Sequence, residues 1–265
     1  MLYHLKLQKE MVEGARCALL PGDPERVEKI ACFYDPKARQ LASHREFTSW
    51  LGYLTPAPLA DDARPAGTCP VLTVSTGIGG PSTAIVVEEL AMLGVDTFIR
   101  IGTTGAIQKN IQLQDVIITT ASVRLDGTST HYAPIEYPSA AHYEIVHALI
   151  TAARSLDIPY YAGITASSDS FYPGQERYDS FSGCVLKKFQ GSLMEWQRLG
   201  VLNYEMESST LFTVCSTLGL RAGCVCGVVV NRVIENQIQE EIIPGAEEKA
   251  IRVAIEALRQ LRVTG

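Results

Sequence analysis

Three segments of the chain place arginine, glycine and threonine together in a way that suits a bound phosphate. In "LLPGDPER" a strand-like run ends at Gly22, and Arg26 lies just inside the next predicted helix. The segment "SHREF" contains Arg45, and "RIGTTGA" joins Arg100 to Thr103 through a run of small residues. Guanidinium groups, threonine hydroxyls and exposed glycine N–H groups all donate hydrogen bonds to phosphate oxygens. The three segments therefore predict an anion site, and "GTTG" is interpreted as a loop that wraps the anion.

Each segment also has a simpler interpretation. Arg26 could be a surface arginine after an ordinary strand-to-helix turn, and Arg45 beside Glu46 could form an exposed ion pair that contributes little. Arg100 is harder to explain in this way, because a charge within an apolar strand needs a partner. No GxxxxGK[ST] motif occurs, and "TGIGGPS" lacks the third glycine of a dinucleotide fingerprint.

Two further segments suit a polar organic ligand. In "SDSFYPGQERYDSF", the ring of Phe171 and the side chains of Gln175 and Arg177 match the flat face and the donor and acceptor edge of uracil. In "NYEMESST", Glu207 could accept hydrogen bonds from vicinal hydroxyls, and Met206 could pack on a sugar. The alternatives are a charged surface loop in the first case and acidic residues favoured by a helix N-terminus in the second.

Composition excludes several other classes. The chain has 265 residues and a formal net charge of −6, so no overall basic field attracts nucleic acid. We expect a cytoplasmic protein without a membrane span, because the N-terminus lacks a signal-peptide pattern. The histidines show no HExxH spacing, no GxSxG motif occurs, and most of the seven cysteines are expected to be buried thiols. Metalloprotease and serine hydrolase activities are therefore disfavoured.

Apolar runs alternate with helical patterns along the chain. This alternation predicts one compact α/β domain over residues 1–265, with a central sheet covered by helices on both faces and a ligand site at the carboxyl ends of the strands. A proline-rich stretch over residues 54–70 is predicted to be a surface loop. The predicted strands are Cys17 to Leu20, Val71 to Ser75, Thr97 to Ile101, Asp115 to Thr120, Ala162 to Ser167 and Gly223 to Val230. The predicted helices are Pro81 to Leu93, Ala140 to Leu156, Glu205 to Leu218 and Ala246 to Leu261.

Taken together, these segments resemble a known family. "PGDPERVEKIA", "LASHREFTSW", "STGIGGPSTAIVVEELAMLG", "RIGTTGAIQ", "TASSDSFYPGQERYDSFSG", "NYEMES" and "GVVVNR" follow the order and spacing of the uridine phosphorylases, in the hexameric branch of the nucleoside phosphorylases. The resemblance runs from about Tyr3 to Arg232 and through the last helix. It implies a three-layer α/β/α sandwich with a central mixed, partly barrel-like sheet, and reversible phosphorolysis of uridine in pyrimidine salvage.

The resemblance also implies a role for each site residue, with Arg100, Gln175 and Arg177 as the catalytic ones. The implied phosphate ligands are Gly22, Arg26, Arg45, Arg100 and Thr103. The implied ribose ligands are His4, Thr103, Met206 and Glu207, and the base contacts are Thr104, Gly105, Phe171, Gln175, Arg177 and Arg232. His4 and Arg45 are expected to reach the site of a neighbouring subunit, which implies a homodimer as the minimal unit and leaves a hexamer, a trimer of dimers, open.

No cofactor is implied, although the family binds a monovalent cation such as potassium between paired subunits. The matching positions are taken as Glu46, Val71 through its backbone, and Ser75. Asn231 stands where the purine phosphorylases of the superfamily carry an aspartate, which favours a pyrimidine substrate because an amide cannot protonate a leaving base. The segment after Arg232 differs from the mobile flap of the family, so preference among uridine, deoxyuridine and thymidine stays open.

Three alternatives remain at this point. The first is a superfamily nucleosidase that uses water, for which the arginines would have no phosphate to hold. The second is a nucleoside-binding or sensing protein without turnover. The third is a nicotinamide-dependent oxidoreductase on a similar sheet, which the broken fingerprint disfavours.

Overall fold

A single mixed sheet holds all nine strands of the computed structural model, which describes residues 1–55 and 67–261. The order of the strands in the sheet is β2-β3-β4-β1-β5-β8-β7-β6-β9. Their bounds are β1 Cys17–Pro21, β2 Arg39–His44, β3 Phe47–Leu54, β4 Cys69–Val74, β5 Thr97–Ala106, β6 Val116–Leu125, β7 Tyr160–Ser168, β8 Asn203–Glu205 and β9 Arg221–Asn231.

Strand β5 closes part of this sheet into a ring. It pairs in parallel with β1 and β9 and in antiparallel fashion with β8, so β5, β8, β7, β6 and β9 form a barrel-like circuit. The strands β2, β3, β4 and β1 continue outward from it as an open sheet. The predicted sandwich with a mixed, partly barrel-like sheet is thereby confirmed.

The described part of the chain contains six α-helices, of which five cover the sheet in two layers. The helices are α1 Glu25–Tyr34, α2 Gly80–Met92, α3 Tyr143–Ser155, α4 Ser192–Arg198, α5 Ser208–Thr217 and α6 Ile243–Gln260. Apolar residues of α1, α3 and α6 pack with one face of the sheet, and those of α2 and α5 pack with the other. Successive side chains of β5 point to opposite faces of the sheet and so pack in both layers. Phe98 belongs to the core under α2 and α5, and Ile99 and Ile101 belong to the core under α1, α3 and α6.

The predicted strands and helices are confirmed in position, with three differences. The "GTTG" stretch is no loop, because β5 continues through it to Ala106. Glycine permits this path: a Cβ on Gly102 would lie 2.9 Å from the Cys226 sulfur, and one on Gly105 would lie 3.2 Å from the Arg232 side chain. The helix predicted from Glu205 begins instead at Ser208, because the preceding residues pair with β5 and β7 as β8.

The third difference is a missed hairpin. Strands β2 and β3 are joined at a tight turn in which Arg45 adopts a left-handed conformation with φ 57°. The ends of the predicted loop over residues 54–70 belong to β3 and β4, and residues 56–66 lie outside the described part of the chain. Four of the seven cysteines are buried and all seven are free thiols. Within residues 1–55 and 67–261, no helix is long and apolar enough to cross a membrane.

Candidate functional site

A cavity of about 840 Å³ opens where β1, β5, β8 and β9 end or bend. It brings together residues from distant parts of the sequence, from Gly22 near the N-terminus to Ile238 after β9. Of the residues predicted to bind phosphate, ribose or base, the cavity is lined by Gly22, Arg26, Arg100, Thr103, Thr104, Gly105, Phe171, Gln175, Arg177, Met206 and Glu207. His4, Arg45 and Arg232 are not part of this wall.

One end of the cavity offers donors for an anion. Arg100 reaches it from β5, and its Nη1 atom is buried and has no hydrogen-bond partner in the structure. Gly22 approaches closely at the end of β1, since a Cβ there would lie 3.3 Å from the Gly77 carbonyl oxygen and 3.9 Å from that Nη1 atom. Thr103 lines the same region. An unpartnered buried guanidinium nitrogen is a strong donor for a phosphate oxygen.

Arg26 also lines the cavity, but it has a partner that the sequence did not reveal. Its Nη2 atom lies 2.8 Å from Glu247 Oε1 on α6, and its Nε atom lies 3.8 Å from Asp23 Oδ2. Lys29 contacts the other oxygen of Glu247 at 3.4 Å. Arg26 is thus fixed at the cavity rim by an ion pair whose members are far apart in the chain.

A buried triad joins the anion end to the middle of the cavity. Arg100 Nε donates to Glu205 Oε2 at 3.0 Å, and Arg100 Nη2 pairs with Glu207 Oε2. Glu205 also accepts hydrogen bonds from the backbone N–H groups of Glu207 and Ser208 and from the Ser208 hydroxyl. The simpler interpretation, an acidic residue at a helix N-terminus, is therefore correct for Glu205. It does not describe Glu207.

Glu207 is held differently. Its Oε1 atom accepts from the backbone N–H of Gly79 at 2.6 Å, at the N-terminus of α2. Gly79 has φ 94°, a conformation that favours glycine and turns its N–H toward the carboxylate. The second oxygen pairs with Arg100, and Met206 lines the cavity beside it. Both carboxylate oxygens of Glu207 therefore already have a partner, and a ligand that binds Glu207 has to share them with Gly79 or Arg100.

The triad has one positive and two negative groups, and this imbalance shifts its pKa values. Burial raises the pKa of the Glu207 carboxyl; the Arg100 charge opposes this shift, and the Glu205 carboxylate adds to it. Burial alone would lower the pKa of Arg100, but the charges of Glu207 and Glu205 outweigh it and raise that pKa. Arg100 is therefore firmly charged, and the raised pKa of Glu207 makes this carboxyl easier to protonate than an ordinary glutamate.

The opposite end of the cavity has the features expected for a planar base. Phe171, Gln175 and Arg177 line it together, and the Arg177 guanidinium lies 4.4 Å from the centre of the Phe171 ring. Gln175 and Arg177 are both buried, so the "charged surface loop" alternative does not describe them. Thr104 lies in this wall, but its hydroxyl is occupied: it donates to the Tyr204 carbonyl and accepts from Asn203. Thr104 therefore shapes the cavity wall, and its hydroxyl is not available to donate a hydrogen bond to a ligand.

Arg232 stands behind this end of the cavity. Its side chain passes Gly105 within 3.4 Å of where a Cβ would lie, and its guanidinium lies 5.4 Å from the centre of the Tyr204 ring. Burial and the nearby charge of Arg177 lower the pKa of Arg232 to about 10, and the group still carries its proton at neutral pH. Two guanidiniums therefore share the base end of the cavity.

His4 and Arg45 lie away from the cavity of their own chain. The backbone N–H of His4 donates to Glu89 at 3.0 Å, and its Nδ1 lies 2.7 Å from the same carboxylate oxygen. Arg45, at the β2–β3 turn, lies 6.0 Å from the centre of the Tyr3 ring. Neither side chain is brought to the anion or ribose positions within one chain.

The predicted cation ligands are brought together only in part within one chain. Ser75 is close to Glu46, since its hydroxyl donates to the Glu46 carbonyl at 2.6 Å. Val71 is not, because it lies roughly 13 Å further along β4 at about 3.3 Å per residue, and its carbonyl accepts from the Tyr34 hydroxyl at 3.0 Å. The grouping of Glu46, Val71 and Ser75 around a cation between paired subunits stays a prediction. Among the described residues, no group of three or more His, Cys, Asp or Glu side chains is arranged to hold a metal ion.

Asn231, singled out as a mark of pyrimidine preference, faces away from the cavity. Its amide nitrogen donates to the carbonyls of Gln108 and Ile111 at 2.9 and 2.8 Å, and its oxygen accepts from Val233. The residue therefore fixes the turn after β9. Asn231 does not line the cavity, so its side chain is not placed to contact a base directly.

Some lining residues had no signal in the sequence. Ile78 and Ile85 line the cavity near α2, Tyr204 lies behind Thr104, and Ile238 approaches from the segment after β9. Apolar residues of this kind occur everywhere in the chain, and only the fold places these four at the cavity. Glu205 was seen in the sequence beside Glu207, but its bond to Arg100 depends on the pairing of β5 with β8.

The sequence is similar to known proteins over almost its whole length. The sequence profile of the phosphorylase superfamily matches residues 16–261. The chain is 54% identical over 260 residues to the uridine phosphorylase of Escherichia coli (strain K12) and 55% identical over 260 residues to that of Haemophilus influenzae, covering 98% of each chain in both cases. It is 34% identical over 251 residues to a guanosine phosphorylase of Halorubrum lacusprofundi, covering 92% of this chain and 93% of that one.

Proposed function

Because the chain belongs to the phosphorylase superfamily, we propose that it catalyses the reversible phosphorolysis of uridine to uracil and ribose 1-phosphate, as a pentosyltransferase of pyrimidine salvage. The observation that carries the proposal is the cavity itself, in which Arg100 with an unpartnered nitrogen stands at one end and Gln175 with Arg177 stands at the other. The Arg100 end suits phosphate, and the end with Gln175 and Arg177 suits the hydrogen-bonding edge of uracil. Glu207 and Met206 lie between them and suit the ribose.

The reaction needs no nucleophile from the protein. A phosphate oxygen forms a bond to C1′ of the ribose while the bond between C1′ and N1 of uracil breaks, and the electron pair leaves with the base. The departing uracil gains negative charge and takes its proton from water. Fixed donors aimed at that charge lower the barrier because they need no reorganisation during the reaction. Arg177 and Gln175 are the donors in this role.

The phosphate is held by Arg100, Thr103, the Gly22 backbone and Arg26. Glu207 accepts hydrogen bonds from the ribose hydroxyls, which requires that it be ionised and that the sugar displace part of its pairing with Arg100. Phosphate supplies the compensating charge, because it engages the same guanidinium. Binding of the two substrates is therefore linked through Arg100 and Glu207.

A pyrimidine base is favoured over a purine by two features. The relatives with the higher identity are named uridine phosphorylases, whereas the guanosine phosphorylase is 34% identical. The base end also presents an amide and a guanidinium, and none of the carboxylates predicted for the site lies there to protonate a purine. Discrimination among uridine, deoxyuridine and thymidine depends on the segment after β9, which carries Ile238.

We propose a homodimer as the minimal active unit. His4 and Arg45 do not line the cavity of their own chain, although Glu46, the residue after Arg45, does. In a dimer the two side chains complete the ribose and phosphate positions of the neighbouring site. The size of the full assembly, dimer or hexamer, is a separate question for sedimentation measurements.

No cofactor is needed for this reaction, and the proposed interface cation is a structural one. Carboxylate, carbonyl and hydroxyl oxygens suit a hard cation such as potassium. The residues proposed to bind it are Glu46, Ser75 and the backbone of Val71. The cytoplasmic location expected from the sequence likewise stays a prediction.

The test is a cleavage assay with the purified full chain. Uridine, deoxyuridine, thymidine and inosine are each incubated with and without phosphate, and released base is separated from nucleoside by chromatography. Phosphate-dependent release of uracil from uridine is the expected result. Release without phosphate would indicate a nucleosidase, release mainly from inosine a purine phosphorylase, and binding without release a sensor. Any of these outcomes would overturn the proposal.

A further inference from the structure

The two arginines at the base end of the cavity share one hydrogen-bond acceptor. Asn236, on the segment after β9, accepts with its side-chain oxygen from Arg177 Nη1 at 3.3 Å and from Arg232 Nε at 3.2 Å. Within residues 1–55 and 67–261, neither guanidinium forms a further hydrogen bond. Asn236 itself lies at the exposed side of the segment, so its amide reaches inward to the arginines.

No carboxylate of the described chain compensates these two charges at close range. Neither guanidinium forms an ion pair with a residue in the ranges 1–55 and 67–261. Asp179 acts on both arginines only from a distance, and Glu176 uses its carboxylate for the backbone N–H groups of Gly191 and Leu193. Burial lowers the pKa of Arg177 and of Arg232, as expected for cations that lack a close counter-ion.

Each guanidinium has one nitrogen held by Asn236 and another that has no partner. Arg177 Nε and Arg232 Nη1 are both buried without a hydrogen bond. The shared oxygen therefore fixes the orientation of both guanidiniums. Arg177 lines the cavity, whereas Arg232 lies behind it and contributes its charge. Without a common acceptor, two like charges so close together would move apart.

We propose that Asn236 is a positioning residue that holds Arg177 and Arg232 side by side with a neutral acceptor, so that both positive charges act on the departing pyrimidine. The neutrality of the amide is the essential property. A carboxylate at this place would hold the arginines equally well, but it would cancel part of the field that stabilises negative charge on the base. The inference rests on the proposed function, since it assigns Asn236 to the same base site.

The experiment compares Asn236→Asp with Asn236→Ala and with the control Gln237→Glu. The first variant keeps the acceptor and adds a negative charge beside the arginines. The control adds the same charge one residue further along, at a side chain that forms no hydrogen bond with either arginine. We expect Asn236→Asp to lower kcat for uridine by about tenfold with little change in KM, as a charge placed close to a developing like charge does, and Gln237→Glu to leave both unchanged.

A second substrate separates this role from a merely structural one. The fluorine of 5-fluorouridine withdraws electrons, so its base departs with less need of stabilisation by the protein. The loss of kcat in Asn236→Asp should therefore be clearly smaller for 5-fluorouridine than for uridine. Asn236→Ala, which frees the arginines to separate, should raise KM for both substrates and lower kcat for both, and thermal unfolding checks that all variants remain folded.

Three outcomes would overturn the inference: kcat of Asn236→Asp equal to that of the parent, equal losses with the two substrates, or an equal loss in Gln237→Glu. Failure of the proposed function is recognised separately, because the unmodified chain would then not release uracil from uridine in the presence of phosphate. An active parent with an unaffected Asn236→Asp variant refutes only the role of Asn236.

Discussion

Replacement of Arg100 by methionine tests both the stability and the chemistry of the buried triad. Methionine keeps a long unbranched side chain in the space between β5 and β9 but removes every donor. Arg100 is 6% exposed and pairs with the carboxylates of both Glu205 and Glu207. The substitution leaves two buried carboxylates facing each other without a counter-ion.

The magnitude follows from this burial. Removal of one member of a buried ion pair typically costs about 3–5 kcal/mol, because the remaining charge is desolvated and unpaired. We expect a loss of that size in the free energy of unfolding at neutral pH. The loss should be smaller at acidic pH, since the substitution raises the pKa of Glu207 further, and protonation below that pKa removes the repulsion. Urea unfolding followed by tryptophan fluorescence at several pH values measures both effects.

The same substitution removes the donor proposed for phosphate. The expected fall in kcat/KM for phosphate is about 10²- to 10³-fold, as for the loss of one preorganised donor to a charged group. Phosphorolysis of uridine, followed by absorbance while phosphate is varied, measures it. The double variant Arg100→Met with Glu205→Gln should recover part of the lost stability, because one buried charge is removed. Its kcat/KM for phosphate should stay as low as that of Arg100→Met. Arg154→Met, on an exposed face of α3, is the matched control and should change neither.

Two results would refute this reasoning. If Arg100→Met kept its apparent KM for phosphate together with its turnover, the anion site would be misplaced. If its stability changed by less than about 1 kcal/mol, the triad would not be the desolvated cluster that the distances describe.

Four other predictions concern single residues. Arg177→Ala should lower kcat for uridine by about 10²- to 10³-fold, and near-normal turnover in a steady-state assay would contradict its role at the base. Because the pKa of Glu207 is raised, activity should fall as pH drops through a value above the ordinary carboxyl range, and Glu207→Gln should be slow and lack this acidic limb in its kcat/KM profile. Arg26→Ala should raise KM for phosphate more than it lowers kcat, which a phosphate titration checks. Gly227→Ala should destabilise the fold by at least about 1–3 kcal/mol, since a Cβ there would lie 2.2 Å from the Ala246 carbonyl oxygen, and thermal unfolding measures this.

Much of the candidate site was accessible from the sequence because its residues occur in short local groups. Arg100 and Thr103 lie on one strand, and Phe171, Gln175 and Arg177 lie in one irregular segment, so their spacing along the chain carries the signal. The prediction went wrong at "GTTG", where small residues suggested a loop. Their actual role is close packing within β5, where Gly102 and Gly105 leave room for Cys226 and Arg232.

Other parts of the site depend on pairs that no local pattern reveals. Glu247 holds Arg26 from α6, and Asn236 reaches Arg177 across 59 positions of the chain.

The sequence by itself determined the chemical inventory of this protein: the arginines, the glutamine and the carboxylates, and the order of strands and helices that carries them. These properties are local, and composition and hydrophobic alternation record them directly. Only the tertiary structure decided which charges neutralise one another. The pairing of β5 with β8 and β9 buries Arg100 between Glu205 and Glu207, while Arg177 and Arg232 share a neutral amide. This difference between a compensated and an uncompensated arginine arises from burial and distance, which are properties of the folded chain.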